Sequence, residues 1–499
     1  MKRNRLLAPA FPIMMLMLMT VASCTKDDKM LNVRKDALTP QQHQDRGFLI
    51  IAKEGAKLAG ISESLTKLRV KNFKLKTANQ ELGLIRVQTP DPSFPEKARQ
   101  IADVQSVVVD VVMNWRLPEK TFRANKPSQP AANAKLNNPL ANNPFSPLQW
   151  GLQSVKAPQA WAKGYRGRGA KVAVLDGGFL LQNPEIKPNI ILTQNFIEGE
   201  EVQYHGIEGF SHGTHVAGTI AAIDDANGVV GVAPDAKLIL VKVLNDAGSG
   251  PFSGIVDGIF YAANHGADVI NMSLGGELPR KTYTDDNGTP DDPSDDYVVK
   301  YDRDVKDLII AINRATLYAT LRGTTIIAAA GNDAYNYDVE KRFITYPAAA
   351  LGVISIASNG PLGWGINQDT TLYLPSIFTN YGKNFISYGA PGGNYSIPLN
   401  TQIVTVAGIT YYEYVFDFIF NIGFWDEATN EFGYGWSAGT SMAAPHASAV
   451  VALLYGKHPR ISPVLVELIL RKSSNDYGAP GKDPFFGNGQ INAGKAVSY

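Results

Sequence analysis

Histidine is scarce in this chain, with 7 among 499 residues, so the pair His212 and His215 in SHGTHVAGT is a candidate for chemistry. Near neutral pH, histidine acts as a general base or as a metal ligand. Two histidines three positions apart at the start of a predicted helix could hold zinc. A zinc site needs at least a third ligand, however, and no further donor cluster lies near this segment. The pattern alone leaves open which of the two histidines does chemistry, and core packing is a further alternative.

A general base requires a nucleophile and an orienting group. Asp176 ends AKVAVLDGG, an apolar segment typical of a buried strand. Ser441 lies in AGTSMAAPHASAVVALLYG, between a turn and a predicted helix, where serine can also be only a helix cap. His446, in the same helix, is interpreted as a packing residue. Aspartate, histidine and serine together supply what nucleophilic attack on a carbonyl group needs.

These residues must be positioned by a common framework. Apolar strands are predicted at 170–178, 236–244, 267–275, 324–332 and 352–358, with helical segments between them. This alternation predicts an α/β fold, a parallel sheet sandwiched by helices. Asp176, Ser273 and Asn332 fall at carboxyl ends of strands, where sites in such sheets lie.

The segments VAVLDGG, SHGTHVAGT and GTSMAAPHASA closely resemble the three signature motifs of the subtilases, a family of serine proteases. The resemblance continues through NGVVGVAPDAKLILVKVLNDAGSG, NMSLGG and AAAGND and covers about residues 145–499. It implies a subtilisin-like catalytic domain over 147–499, with insertions near 277–303 and 409–436.

The resemblance also implies roles for individual residues. Asp176, His212 and Ser441 would form the catalytic triad, Asn332 the side-chain oxyanion donor, and His215 a structural position. Substrate contacts would come from Gly248, Ser249, Gly250, Ser273, Leu274 and Gly275. Thr345 would form the floor of the specificity pocket, and an apolar residue is expected before the cleaved bond. Gly177 replaces the serine or threonine that usually follows the catalytic aspartate, which would reduce activity.

A structural calcium site is a further expectation from the resemblance. Its oxygen ligands would be Glu185, Ile223, Asp225, Asn227 and Val229, of the kind that hard cations prefer. Ser146 stands where the family has a glutamine ligand. The acidic segment 285–296 is either a second calcium loop or a solvated loop.

The N-terminus predicts export. Basic residues precede an apolar run from Leu6 to Ala22, which is typical of a secretory signal peptide over 1–23, with a membrane anchor as the alternative. The ending VASC resembles the lipobox of bacterial lipoproteins, which implies a lipid on Cys24, the only cysteine. The following TKDDK resembles a surface-export signal, so anchoring to a bacterial outer membrane is expected, with the cell surface as one location.

A tether over 24–46 and a small α+β unit over 47–117 precede the catalytic domain. Strands are expected at 47–53, 82–88 and 105–115 and a helix at 94–102, and the unit resembles the inhibitor-like, ferredoxin-like propeptide of subtilases. Residues 118–146 are rich in proline and asparagine and predict a linker. The aromatic insertion 411–436 is either a hairpin packed on the core or a wall over the substrate cleft.

The sequence therefore predicts a secreted, lipid-anchored serine endopeptidase made as a self-processing zymogen. The alternative is a binding or scaffold surface lipoprotein on a weakly active or inactive subtilase fold. Expected partners are protein or peptide substrates, the chain's own propeptide and a membrane. The net charge of +1 gives no support to a nucleic-acid partner.

Overall fold

The computed structural model describes residues 46–124, 143–207, 209–286, 289, 292–294, 296–426, 429 and 431–499. The predicted signal peptide, Cys24, the tether up to residue 45 and linker residues 125–142 lie outside the described residues. Across the described ranges, none of the helices has the length and apolar character that crossing a membrane requires.

The N-terminal unit is a four-stranded antiparallel sheet with two helices in the order β-α-β-β-α-β. Its elements are β1 (Arg46–Ala52), α1 (Leu58–Thr66), β2 (Lys74–Asn79), β3 (Leu84–Thr89), α2 (Phe94–Arg99) and β4 (Val104–Val109), with strand order β2-β3-β1-β4. The expected long strand over 105–115 is wrong: it breaks at Asp110, and the chain continues as β5 (Val112–Asn114) in a different sheet.

The catalytic domain is built on an eight-stranded, mostly parallel sheet, in agreement with the predicted fold class. The order is β18-β17-β15-β11-β7-β9-β8, with β19 beside β17 and β18 antiparallel. These strands are β7 (Lys171–Asp176), β8 (Ile190–Asn195), β9 (Lys237–Lys242), β11 (Val269–Met272), β15 (Thr325–Ala329), β17 (Val353–Gly360), β18 (Leu374–Pro375) and β19 (Tyr388–Pro391).

Helices cover both faces of this sheet. They are α3 (Trp150–Ser154), α4 (Ala157–Trp161), α5 (His212–Ala221), α6 (Phe252–Asn264), α7 (Arg303–Leu321), α8 (Thr440–Lys457), α9 (Pro463–Ser473) and α10 (Ala493–Ala496). Alternate residues of β7 face opposite cores: Val172 and Val174 pack with α5 and α8, whereas Ala173 and Leu175 pack with α6 and α7. Burial on both faces explains why residues 172–175 of this strand are all apolar.

Short strands complete the domain and build the surroundings of the cleft. They are β6 (Lys120–Arg123), β10 (Ser249–Pro251), β12 (Gly276–Pro279), β13 (Tyr283–Asp285), β14 (Tyr297–Val299), β16 (Phe343–Tyr346), β20 (Ile403–Val406), β21 (Ile409–Tyr412), β22 (Ile419–Asp426) and β23 (Glu431–Ala438). The acidic segment joins β13 to β14, and several of its residues lie outside the described ones.

One face of the N-terminal sheet packs on α6 and α7. Leu49 and Ile51 of β1 belong to the same core as these helices, whereas Phe48 and Ile50 face α1 and α2. Asp110 accepts the Ser253 backbone N–H (2.9 Å) and hydroxyl (2.5 Å) in the first turn of α6. A carboxylate at this helix end satisfies free N–H groups and complements the helix dipole.

Candidate active site

Asp176 and His212 meet because a strand ends and a helix begins at the same place. Asp176 is the last residue of β7 and His212 the first of α5, and His212 Nδ1 lies 2.9 Å from both carboxylate oxygens of Asp176. Ser211 caps α5 by accepting the Thr214 N–H at 3.2 Å, and its hydroxyl donates to Gly178 O at 3.0 Å. Gly213 permits this approach, since a Cβ there would lie 3.0 Å from Asp176 Cβ. The aspartate therefore fixes the imidazole orientation.

Gly177 stands where the family usually has a serine or threonine. Its backbone N–H nevertheless gives the Asp176 carboxylate a hydrogen-bond donor. The Gly177 N–H donates to Asp176 Oδ1 at 2.7 Å. Its carbonyl accepts from the buried Lys242 Nζ at 2.5 Å, which holds the turn in place. The aspartate thus keeps a fixed orientation without the hydroxyl of a serine or threonine.

Ser441 lies in the first turn of α8 and is buried beside the end of β11. Its hydroxyl donates to Ser273 O at 3.2 Å, and the Ser273 hydroxyl donates to Ser441 O at 2.6 Å. Although both side chains are among the described residues, no hydrogen bond joins Ser441 Oγ to His212. Such bonds are often long or misaligned before the reacting geometry is reached.

Asn332 follows β15 and has only one possible amide orientation. Its Oδ1 accepts both the Thr440 N–H (2.8 Å) and the Thr440 hydroxyl (2.7 Å). Because oxygen must face these two donors, the NH₂ group faces the cleft. There Asn332 Nδ2 donates to the Pro118 carbonyl oxygen at 2.6 Å. The side chain is thus aimed at a peptide carbonyl of the chain itself.

The residues before Pro118 lie in the cleft like a bound peptide. β5 pairs antiparallel with β10, with Asn114 opposite Ser249 and Met113 opposite Gly250. Trp115 N–H donates to Gly248 O at 3.0 Å, and Gly275 N–H donates to Trp115 O at 2.9 Å. Four predicted substrate contacts, Gly248, Ser249, Gly250 and Gly275, therefore hold the chain's own segment, whereas Leu274 is buried in the core beneath it.

An apolar side chain enters the predicted specificity pocket. Leu117 is buried, and its Cδ2 and the Thr345 Cγ2 both lie beside Gly275. Thr345 is fixed by hydrogen bonds of its hydroxyl with Tyr337 (2.8 Å) and Asn380 (3.3 Å). Pro118, which follows, is exposed, so the residue in the pocket lies one position before the residue whose carbonyl oxygen contacts Asn332.

Glu119 places a second carboxylate against the catalytic histidine. Its Oε2 lies 3.6 Å from His212 Nε2 and accepts the Ser437 hydroxyl at 3.1 Å. Burial alone would lower the pKa of His212, but the carboxylates of Asp176 and Glu119 outweigh it and raise this pKa to about 9. A protonated imidazole has no free lone pair to accept the serine proton, which agrees with the orientation of the Ser441 hydroxyl.

After Glu119 the chain continues along the other side of the cleft. β6 pairs antiparallel with β23, the strand that leads into Ser441, with Lys120 opposite Ala438 and Phe122 opposite Trp436. β22 and β23 form a hairpin from the aromatic insertion. The side chains of Phe420 and Trp436 are buried in the core, whereas the edge of β23 pairs with β6 along the cleft. The hairpin therefore both packs on the core and forms a wall of the cleft.

The other two histidines of the motifs are buried packing residues. Burial and the nearby His212 charge lower the pKa of His215 to about 3, and its Nε2 lies 3.2 Å from Ile419 O. Burial lowers the pKa of His446 to about 4, and its Nδ1 lies 2.7 Å from Met442 O. The described ranges contain no cluster of three or more His, Cys, Asp or Glu side chains suited to a metal.

The predicted calcium ligands are brought together only in part. The carbonyl oxygens of Ile223, Asn227 and Val229 converge on one atom, the side-chain nitrogen of Asn143, at 3.0, 2.6 and 2.5 Å. Asn143, not Ser146, thus reaches this point, and its own Oδ1 is buried without a partner. Three carbonyl oxygens that face one position, beside a buried amide oxygen without a partner, are the kind of ligands that a hard cation prefers. The NH₂ group of Asn143 occupies the position that such a cation would take.

The two carboxylates of the predicted set both accept backbone hydrogen bonds from the same loop. Glu185 accepts the Val229 N–H at 2.8 Å and the Tyr434 hydroxyl, and burial raises its pKa to about 7. Asp225 is exposed and accepts the Asn227 N–H at 3.0 Å.

Sequence reasoning missed Pro118, Glu119 and Asn143. All three lie in the segment 118–146, which its proline and asparagine content predicts to be a linker. Composition alone does not indicate which residues of such a segment make specific contacts. The signal that could have found the first two is their position directly after the apolar alternation Met113, Trp115 and Leu117, which is typical of an extended peptide with one buried face.

Comparisons with known proteins agree with this geometry. Residues 167–489 match the model of the Subtilase family. The chain is 30% identical over 351 residues to subtilisin DY of Bacillus licheniformis, covering 70% of this chain and 98% of that protein. It is 34% identical over 309 residues to the major intracellular serine protease of Bacillus subtilis (strain 168), covering 62% and 75% of the two chains.

A solved structure shares the fold over most of the chain. The epidermin leader peptide processing serine protease of Staphylococcus aureus superimposes with a TM-score of 0.64 and 19% identity, covering 91% of this chain and 98% of that one.

Proposed function

Since this chain belongs to the subtilase family and is a serine-type endopeptidase, we propose that it is made as an exported, lipid-anchored zymogen that cuts its own Pro118–Glu119 bond. Protein or peptide chains are its substrates. The N-terminal unit is the propeptide, and the segment that follows it, read from the sequence as a linker, contains the cleaved bond.

One observation carries the self-processing proposal: the Pro118 carbonyl oxygen accepts a hydrogen bond from Asn332 Nδ2 at 2.6 Å. An oxyanion donor must be aimed at the carbonyl of the bond that breaks. The register on the far side agrees, because Lys120, the second residue after this bond, pairs with Ala438 beside the nucleophile.

Cleavage begins with a proton transfer. His212 in its neutral form takes the Ser441 hydroxyl proton on Nε2, and Asp176 stabilises the resulting imidazolium. Ser441 Oγ bonds to the Pro118 carbonyl carbon, and the electron pair of the C=O bond moves to the oxygen facing Asn332. This oxygen becomes an oxyanion only at this stage, so the Asn332 hydrogen bond strengthens as the barrier is crossed.

The intermediate then collapses. His212 gives its proton to the Glu119 nitrogen, the carbon–nitrogen bond breaks, and Glu119 becomes a free N-terminus while Pro118 is esterified to Ser441. Water attacks this ester with His212 again as base, which releases the Pro118 carboxylate and restores the serine. The same steps hydrolyse a substrate peptide in place of residues 112–124.

The contacts of the N-terminal unit support an inhibitory and folding role. It fills the cleft with its own residues, and Arg314 of α7 donates to the carbonyls of Ala52 (3.3 Å) and Leu82 (3.2 Å). A parallel sheet has many contacts between distant parts of the chain and folds slowly. A unit that holds α6 and α7 together reduces the number of chain conformations that are sampled before the sheet forms.

Calcium is part of the proposal as a structural ion. The carbonyls of Ile223, Asn227 and Val229 would hold it with the carboxylates of Asp225 and Glu185 and the Asn143 side chain. The bound ion would link the start of the mature domain to the loop after α5 and stabilise the fold.

The anchoring part of the proposal depends on the sequence of the first 24 residues, whose lipobox ending makes Cys24 the acceptor of the lipid. Two acyl chains bind a membrane durably without a spanning helix. The location is the outer membrane of a bacterium.

The N-terminal sequence of the matured protein tests the proposed cleavage. The expected sequence is EKTFRA, beginning at Glu119. A sequence beginning at any residue outside 118–146 would overturn self-processing in the linker, and one beginning at Pro118 would move the bond by one residue and contradict the assigned role of the Asn332 contact.

A further inference from the structure

We propose that the outer edge of the β22–β23 hairpin is an extended binding site for the residues that follow the cleaved bond, and that it selects an aromatic side chain at the fourth of them. This inference rests on the proposed function, because the position is counted from the Pro118–Glu119 bond. The fourth residue in that count is Phe122.

The backbone of the following residues adds a strand to the hairpin. Four residues of β6 pair with β23, from Lys120 opposite Ala438 to Arg123 opposite Gly435, and the Ala124 N–H then donates to Tyr434 O at 2.9 Å. Strand addition gives affinity to any extended peptide, since main-chain bonds do not depend on side-chain type. Selection must therefore come from side-chain pockets.

Phe122 occupies such a pocket. Its ring centroid lies 6.0 Å from that of Tyr411, 5.7 Å from Tyr414 and 5.7 Å from Phe418, with the two tyrosines at steep angles of 68° and 79°. Edge-to-face pairs of this kind stabilise beyond the area they bury. The pocket belongs wholly to the aromatic insertion.

The base of the pocket is supported by the buried core of the domain. Trp436 is fully buried, with its ring 4.8 Å from Phe420 and 5.4 Å from Phe416. Phe418, the pocket floor, is also fully buried, and its carbonyl accepts the Trp150 indole N–H at 3.0 Å. A rigid aromatic wall loses little conformational entropy on binding.

Gly435 shows that β23 has room for a neighbouring strand at this position. A Cβ at Gly435 would lie 2.3 Å from the Phe122 carbonyl oxygen, which no ordinary side-chain contact allows. The absence of a side chain thus lets the peptide backbone reach the hairpin edge.

Neighbouring side chains contribute less. Arg123 Nη2 lies 3.5 Å from Asp426 Oδ2, but both side chains are more than a third exposed. Ion pairs this exposed to water contribute little binding free energy. Lys120 Nζ lies 5.4 Å from the Tyr395 ring centroid, a weak cation–π contact at an exposed side chain. The aromatic residue is therefore the main determinant.

The test uses the matured product of the full-length chain carrying Phe122→Ala, so that its own N-terminal segment lacks the anchor. Two quenched peptides copy residues 113–124, MNWRLPEKTFRA and the same peptide with alanine for phenylalanine. We expect a kcat/KM about tenfold higher for the phenylalanine peptide, since burying most of such a ring is worth roughly one factor of ten.

Two further variants, added to Phe122→Ala, assign the effect to the hairpin. Tyr411→Ala should reduce the preference to about twofold, whereas Tyr412→Ala, an exposed neighbour whose ring packs on Tyr411 and Tyr414 but is not paired with the Phe122 ring, should reduce it less. Equal kcat/KM for the two peptides, or equal effects of the two tyrosine variants, would overturn the inference while leaving the protease intact. Failure to cut either peptide would instead contradict the proposed function.

Discussion

Asn332 shows how single contacts decide the role of a residue. The sequence placed it after a strand, and the family resemblance implied an oxyanion donor. Neither could indicate the direction of its amide, which depends on Thr440, more than a hundred residues later. Likewise, the alternation Met113, Trp115 and Leu117 indicates an extended segment before Pro118 but cannot indicate that the Pro118 carbonyl faces Asn332, which lies more than two hundred residues later.

Asn332→Ala should slow self-processing by about 10²–10³-fold, the range found for the corresponding donor of subtilisin. The variant keeps His212 and Ser441, so conversion should be slow but complete. A pulse-chase measurement of full-length and matured protein gives the rate, with the exposed Asn264→Ala as control. Conversion at the wild-type rate would contradict the role assigned to this side chain.

Glu119→Gln should move the pH dependence of self-processing to lower pH. Cleavage needs neutral His212, and Asp176 and Glu119 raise its pKa to about 9 against burial and the opposing charge of Arg116. The wild-type rate should therefore rise with pH up to about 9, and removing one carboxylate should let it rise earlier. The half-time of conversion measured between pH 6 and 10 tests this.

The matched control for this pH series is Glu96→Gln, an exposed residue of α2. An unchanged pH profile in Glu119→Gln, or an equal shift in both variants, would show that the Glu119 carboxylate does not act on His212.

At the scale of elements, buried parallel strands were predictable and cleft segments were not. β7, β9, β11, β15 and β17 are mostly apolar because both of their faces are covered. The run 105–115 has the same β-branched composition, yet Asp110 turns towards Ser253 of α6 and the chain changes sheets. The strand propensity of a segment cannot predict a hydrogen bond to a residue that lies more than a hundred positions away in the sequence.

The loop between α5 and β9 carries the calcium prediction. A ligand bound only by the folded state stabilises it by mass action, so a chelator should lower the melting temperature of the matured protein by roughly 5–10 °C. Asp225→Ala should melt lower and respond little to the chelator, whereas Asp235→Ala, a carboxylate of the same loop outside the predicted ligand set, should respond like wild type. Equal chelator sensitivity of Asp225→Ala and wild type would contradict the assignment.

At the scale of the whole molecule, the chain passes through its own cleft. The N-terminal sheet packs on α6 and α7, residues 112–117 lie along Gly248–Pro251 and Gly275, and β6 continues along β23. The fold and the triad were predictable because motifs and strand ends specify them. The path of the connecting segment was not, since it depends on two units meeting.

Anchoring is a property of the intact precursor. Cys24→Ala removes the only thiol, so the uncut precursor, kept intact by Ser441→Ala, should move from the membrane fraction to the soluble fraction. Fractionation followed by immunoblotting measures this, with Ser23→Ala as control. Retention of Cys24→Ala in the membrane fraction would contradict a lipid anchor at this residue.

The central claim is that Ser441 cuts the chain in which it resides. The most direct measurement is the mass of purified Ser441→Ala protein, expressed without other proteases, beside wild type. The account predicts that the variant stays joined across Pro118–Glu119, whereas wild type separates there. Ser441→Ala that matures to the wild-type mass at the wild-type rate would show that another enzyme makes the cut.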